Sequence, residues 1–181
     1  VDNELVLSKE YCTIYQNECL KNYDLSMIFY EKLDRNKYNK TVEEIIKKYK
    51  MIEIRDLKDC KGKKGIYILL QEKYKQMYIG QTVRDLKERI VRHWKKKPEF
   101  DRILFGDAES SVIGVDSFGA LDTTRILVLY EENKNKIDEL EEKMVKETPR
   151  EFLNNRIGGG IHLDSIIDTK RVISTINKRT L

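Results

Sequence analysis

The stretch GIYILLQEKYKQMYIGQT, residues 65–82, decides the fold. Its two ends, 65–70 and 77–82, are β-branched, aromatic and apolar, while the six residues between them are polar. Such ends fit the pleated, half-buried surface of a sheet. Two of them around a polar break predict an antiparallel hairpin.

Downstream, Val83–Lys97 reads as an amphipathic helix with Leu86, Ile90 and Trp94 inward, ended by Pro98. Residues 124–130 (TRILVLY) form a third strand pattern, and Ile137–Glu147 a second helix that stops near Pro149. Strand, strand, helix, strand, helix predicts an α+β fold: a small antiparallel or mixed three-stranded sheet flanked by helices. Upstream, residues 8–33 look helical, with Tyr11, Tyr15, Cys19 and Tyr23 four apart. Thr41 and Glu44 read as a capping box opening a short helix through about Tyr49. The expected organisation is an N-terminal helical extension over 1–60, a core domain over 61–160, and a segment over 161–181 packed on it. Gly106, Gly114 and Gly119 break up residues 99–123, which reads as an insertion within the core domain, and 154–160 is a glycine-rich turn.

The 181 residues carry 35 Lys and Arg against 31 Asp and Glu, a formal charge of +4. That excess alone names no partner, but its distribution is uneven. Residues 83–97 hold seven Lys or Arg against two acids, and 137–147 hold five acids against two lysines. A chain that is 40% hydrophobic is too apolar to be disordered. No apolar run approaches the ~18 residues of a membrane span. Cys12, Cys19 and Cys60 form no CxxC pair, which argues for reduced thiols in an intracellular protein and against structural zinc. No leader pattern opens the sequence, and the expectation is a cytoplasmic protein with no membrane association.

Several residues could carry chemistry. On the second helix Ile137, Leu140, Met144 and Val145 make an apolar stripe that includes Glu141, whereas Glu139 and Glu142 fall toward solvent. A carboxylate within a buried stripe is costly unless its charge is compensated, so Glu141 reads as a salt-bridged or snorkelling edge residue, or as a metal ligand or catalytic acid. Arg89 and His93, four apart, share one face of the basic helix, with Arg92 off that face. A guanidinium there suits a phosphate, and Lys95, Lys96 and Lys97 would extend a phosphate track. Tyr67 and Tyr78 sit in the two hairpin strands; taken singly, each reads as packing.

Their order is more specific than any one of them. Gly65-Ile66-Tyr67, ten intervening residues, Tyr78-Ile79-Gly80, then Arg89, His93, a later glutamate and an asparagine: this resembles the GIY-YIG nuclease superfamily over about residues 63–156. The resemblance implies a metal-dependent endonuclease that hydrolyses phosphodiester bonds in DNA with one divalent ion, Mg²⁺ or Mn²⁺, per site. It implies Glu141 as metal ligand and Arg89 on the scissile phosphate. Tyr67 would be general base or water-positioner, Tyr78 an orienting hydroxyl, His93 a phosphate donor or proton shuttle, and Asn154 a buttress. For Tyr67 to act as a base, nearby positive charge has to lower its pKa from near 10. Counting twelve residues back from Asn154 selects Glu142; the helix face selects Glu141 and is preferred, because a ligand must point inward. A small restriction-like enzyme fits best, with residues 8–50 and 110–122 as DNA-reading or dimer-forming parts; double-strand cleavage would favour a homodimer or sequential nicking. The alternative is a catalytically inactive nucleic-acid-binding protein on the same fold.

Overall fold

Every residue of strand β2, Gly65–Gln71, is buried, because the strand is paired on both edges and covered on both faces. The computed structural model describes residues 8–95, 115 and 118–155. Within them the chain runs α1 (Lys9–Lys32), α2 (Arg35–Tyr49), β1 (Ile52–Ile54), β2, β3 (Gln76–Thr82), α3 (Leu86–Lys95), β4 (Arg125–Tyr130) and α4 (Lys134–Glu147). The strands form one antiparallel sheet in the order β1-β4-β2-β3. The α+β architecture is as expected, but the sheet has four strands, not three. The added strand, β1, comes from the segment read as a helical extension. Three residues are too few to declare themselves by periodicity; Ile52 to Ile54 become a strand because Val128 to Ile126 of β4 offer a partner.

The hairpin lies as the sequence indicates, with Tyr67 opposite Gly80 and Leu69 opposite Tyr78. A 3₁₀ turn over Glu72–Tyr74 reverses the chain, closed by Lys75 in the left-handed region at φ 53°. Alternation then sorts the side chains. Ile66, Ile68, Leu70, Met77 and Ile79 face one way, into a core with Ile137 and Met144 of α4 and with Tyr38, Val42 and Ile45 of α2. Tyr67, Leu69 and Val128 face the other way, against Leu86 and Ile90 of α3. Burying each of those aliphatic side chains contributes roughly 1.5–3 kcal/mol, so α3 is held mainly by that pair.

The helix α2 begins at Arg35, not at Thr41. Asp34 is its N-cap, accepting from the Asn36 and Lys37 amides at 2.7 and 3.0 Å. The Thr41 hydroxyl donates instead to the Lys37 carbonyl one turn back, a bond that lets a threonine sit inside a helix. Along α1, Tyr23 is 42% exposed, while the Tyr15 and Cys19 side chains lie outside the described residues. The last turns of α1 meet the body of the domain, where Tyr30 packs on Tyr74. Most of the 99–123 insertion and all of 161–181 also lie outside the described residues. Among the described residues no helix is long and apolar enough to cross a membrane.

Candidate active site

The two glycines of the hairpin are there because atoms crowd their Cα positions. Gly65 has φ +136°, and a Cβ on it would lie 2.0 Å from the Leu129 carbonyl oxygen. At Gly80 a Cβ would lie 2.6 Å from both the Tyr67 hydroxyl and Tyr78 Cε1. The Tyr67 ring therefore lies across the bare backbone of Gly80, its partner in the register. That places its hydroxyl next to Tyr78 and beneath α3.

Helix α3 supplies the other half. Its spacing of four puts Arg89 and His93 on one side, over the hairpin. Tyr67 is fully buried and His93 is 5% exposed. The Tyr67 hydroxyl and His93 Nε2 are 2.6 Å apart. With the imidazole proton on Nδ1, the hydroxyl donates this bond. The Tyr67, Tyr78 and His93 rings form a triangle with centroids 5.0–6.0 Å apart. The Arg89 guanidinium lies close enough to both tyrosine hydroxyls to feel them electrostatically. Burial weighs against its charge, and the two hydroxyls outweigh it, so its pKa is raised.

Tyr67 itself departs from the expectation of a base made acidic by neighbouring charge. Burial pushes its pKa well above the ordinary value, with Tyr78 adding to the rise and Arg89 opposing it. Desolvating a phenolate so fully is a larger effect than one guanidinium offsets. At rest Tyr67 is a neutral hydroxyl.

The structure separates Glu141 from Glu142. On α4, Ile137 and Met144 are buried, and Glu141 lies between them, half-buried. Its pKa is pushed up to about 7, first by burial and then by the Asp138 charge, against the pull of Arg89. Glu141 is thus within electrostatic reach of the arginine that lies beside both tyrosines. It forms no ion pair among the described residues. Glu142, also partly buried, differs in its partner: it pairs with Lys146 at 2.5 Å, one turn along the helix. A desolvated, unpaired carboxylate fits a divalent cation. Among the described residues no three His, Cys, Asp or Glu gather. The donor set therefore suits a hard ion that keeps most of its water and takes oxygen from its substrate.

Asn154 and Asn155 part company as well. Leu153 bridges in parallel to Met77, and the Asn154 amide donates to the Met77 carbonyl at 3.0 Å, so this segment lies along the free edge of β3. The Asn154 side chain turns to Gln71, 3.2 Å away. Gln71 is four residues along β2 from Tyr67, roughly 13 Å at strand rise. The structure thus does not bring Asn154 to the tyrosine cluster. Asn155 clamps the centre of the YIG strand: its Oδ1 accepts from the Ile79 amide at 2.9 Å and its Nδ2 donates to the Ile79 carbonyl at 2.6 Å. An Asn amide, with one acceptor and one donor side, satisfies an edge residue as a further strand would. Of the remaining basic residues, Arg92 and Lys95 are exposed, about 60° and 120° round the helix from Arg89. Lys96 and Lys97 lie outside the described residues.

The GIY-YIG catalytic domain family model matches residues 63–155, just over half of the chain. No curated protein and no solved structure gives a match. The matched span opens in the loop before β2 and closes on the Asn155 clamp, with the hairpin, Arg89, His93 and Glu141 inside it; this chain belongs to the GIY-YIG family of endonucleases, and its substrate is nucleic acid.

Proposed function

We propose that the protein is a divalent-metal-dependent endonuclease cutting DNA, with a restriction-like role. The observation that carries this reading is the buried contact between the Tyr67 hydroxyl and His93 Nε2, with the Arg89 charge acting on the same hydroxyl. A tyrosine packed for bulk alone needs neither partner.

In this reading Arg89 meets an oxygen of the scissile phosphate and stabilises the charge that develops on it. Tyr67 takes a proton from the attacking water as its own proton passes to His93 Nε2. This route never requires a free phenolate, which burial forbids, and it assigns His93 the final acceptor role. Tyr78, beside Arg89, orients water or phosphate. Glu141 would hold Mg²⁺ or Mn²⁺, which when bound would supply Lewis-acid stabilisation of charge on the phosphate oxygens. Asn155 keeps β3 straight behind Tyr78, and Asn154 ties the same segment to the far end of the hairpin. Residues from about 34 to 155 form the catalytic unit, since α2 and β1 share its core. Target recognition then falls to α1 and to the 99–123 insertion.

The test is digestion of supercoiled plasmid, mixed genomic DNA and mixed-sequence RNA with Mg²⁺ or Mn²⁺, beside EDTA. DNA cleavage that EDTA abolishes, with RNA left intact, is the expected result. Cleavage of RNA alone would move the substrate. Salt-sensitive DNA binding with no cleavage of any substrate would make the protein an inactive binder.

A further inference from the structure

Directly after the Gly80 that the Tyr67 ring covers, Gln81 reaches from β3 to α4. Its Nε2 donates to Asp138 Oδ1 at 3.0 Å. Asp138 lies three residues before Glu141, so the two carboxylates are neighbours on one side of the helix. Like charges in that relation repel, and the Asp138 charge does act on Glu141. No lysine or arginine pairs with Asp138 among the described residues, although α4 carries Lys134, Lys136, Lys143 and Lys146. Lys136 and Lys146 are engaged elsewhere, with Glu131 and Glu142. The fold thus fixes an exposed carboxylate beside a half-buried one, and among the described residues neither forms an ion pair.

We propose that Asp138, tethered by Gln81, is a second carboxylate of the divalent-cation site, holding a water of the ion's shell while Glu141 binds the ion directly. The inference rests on the reading of Glu141 given above. The tether engages Oδ1 and leaves Oδ2 open. A fixed, open carboxylate oxygen on the solvent side is suited to a coordinated water, and Mg²⁺ retains several of these. Gln81 would then orient the orienting group, in the way outer partners set the geometry of metal sites. Because Gln81 follows the YIG triplet in β3, one strand would register both the tyrosine cluster and the cation.

Binding of Mn²⁺ to DNA-free protein, followed by the EPR signal of the free aqua ion, tests this without reference to cleavage. Four variants are compared with wild type: Glu141→Gln, Asp138→Asn, Gln81→Leu and Glu142→Gln. The last removes the same charge from the same helix, one turn from Asp138 but at an ion-paired surface position. Expected are loss of binding in Glu141→Gln, about tenfold weaker binding in Asp138→Asn, a smaller loss in Gln81→Leu, and less than twofold in Glu142→Gln. Unfolding curves in EDTA confirm that each variant is folded, and Gln81→Leu reports on the tether with every charge intact. If Asp138→Asn weakens binding no more than Glu142→Gln while Glu141→Gln abolishes it, the role of Asp138 is wrong and the Glu141 site stands. Wild-type affinity in Glu141→Gln would overturn both.

Discussion

The Tyr67 hydroxyl and His93 Nε2 lie 2.6 Å apart in a buried site, within the electrostatic reach of Arg89. One group that cannot ionise easily is thereby joined to one that accepts protons. If the pair moves a proton as a unit, removing either member removes the route. Tyr67→Phe and His93→Ala should each slow cleavage about 10²–10⁴-fold, and the double variant should be little worse than either single one. Single-turnover rates on a cleavable DNA check this; additive losses would make the two residues independent.

Gly80 is constrained by contact, not by backbone angle. Gly80→Ala drives a methyl into the Tyr67 hydroxyl and the Tyr78 ring. It should lower stability by roughly 1–3 kcal/mol through overpacking and stop cleavage by displacing both tyrosines. Gly62 has φ +72° but nothing within 4 Å of a Cβ. Gly62→Ala should therefore cost about 1 kcal/mol in strain and leave cleavage in place. Denaturant melts and cleavage assays on the two variants separate the effects.

Glu141 ties stability to pH with a definite sign. Its folded pKa is raised to about 7, from the ordinary carboxylate value of 4.5, by burial and Asp138. Between those values the folded protein binds more protons than the unfolded chain, so the Glu141 contribution falls as pH rises through that window. Below the window both states are protonated and the contribution is fully present. In EDTA at pH 8, Glu141→Gln should melt higher than wild type, by a margin of order 1 kcal/mol, and the margin should shrink toward pH 5. Mg²⁺ should raise the melting temperature of wild type only.

The two adjacent asparagines predict different losses. Asn155→Ala leaves the Ile79 amide and carbonyl without their clamp, at about 1–3 kcal/mol for buried groups left unsatisfied. It should loosen β3 and slow cleavage more than Asn154→Ala, whose amide meets Gln71 at the far end of the hairpin. Amide hydrogen exchange at Ile79, measured in both variants, reads the clamp directly.

The hairpin, both site helices and the face of α4 on which Glu141 lies were legible in the sequence, because each rests on a period: two for residues 65–82 and 3.6 for α3 and α4. What escaped depends on partners far along the chain. β1 is a strand because β4 accepts it, and the start of α2 is set by Asp34, while Thr41 looks like a cap but bonds backward to Lys37. Composition identified neither Asn155 nor the Gln81 tether, since both act through a strand edge that exists only after folding. Tyr67 shows the opposite limit. Its identity was readable, yet the depth of its burial, which rules out a resting phenolate, was not.

If Glu141 serves the same site as Tyr67, Arg89 and His93, Mg²⁺-dependent DNA cleavage by wild type, Glu141→Gln and Glu142→Gln under single-turnover conditions will show it. Glu142→Gln should cut within a few-fold of wild type, and Glu141→Gln, folded and still binding DNA, at least about 10³-fold more slowly. Undiminished cleavage by Glu141→Gln, or its loss in Glu142→Gln instead, would contradict that role of Glu141.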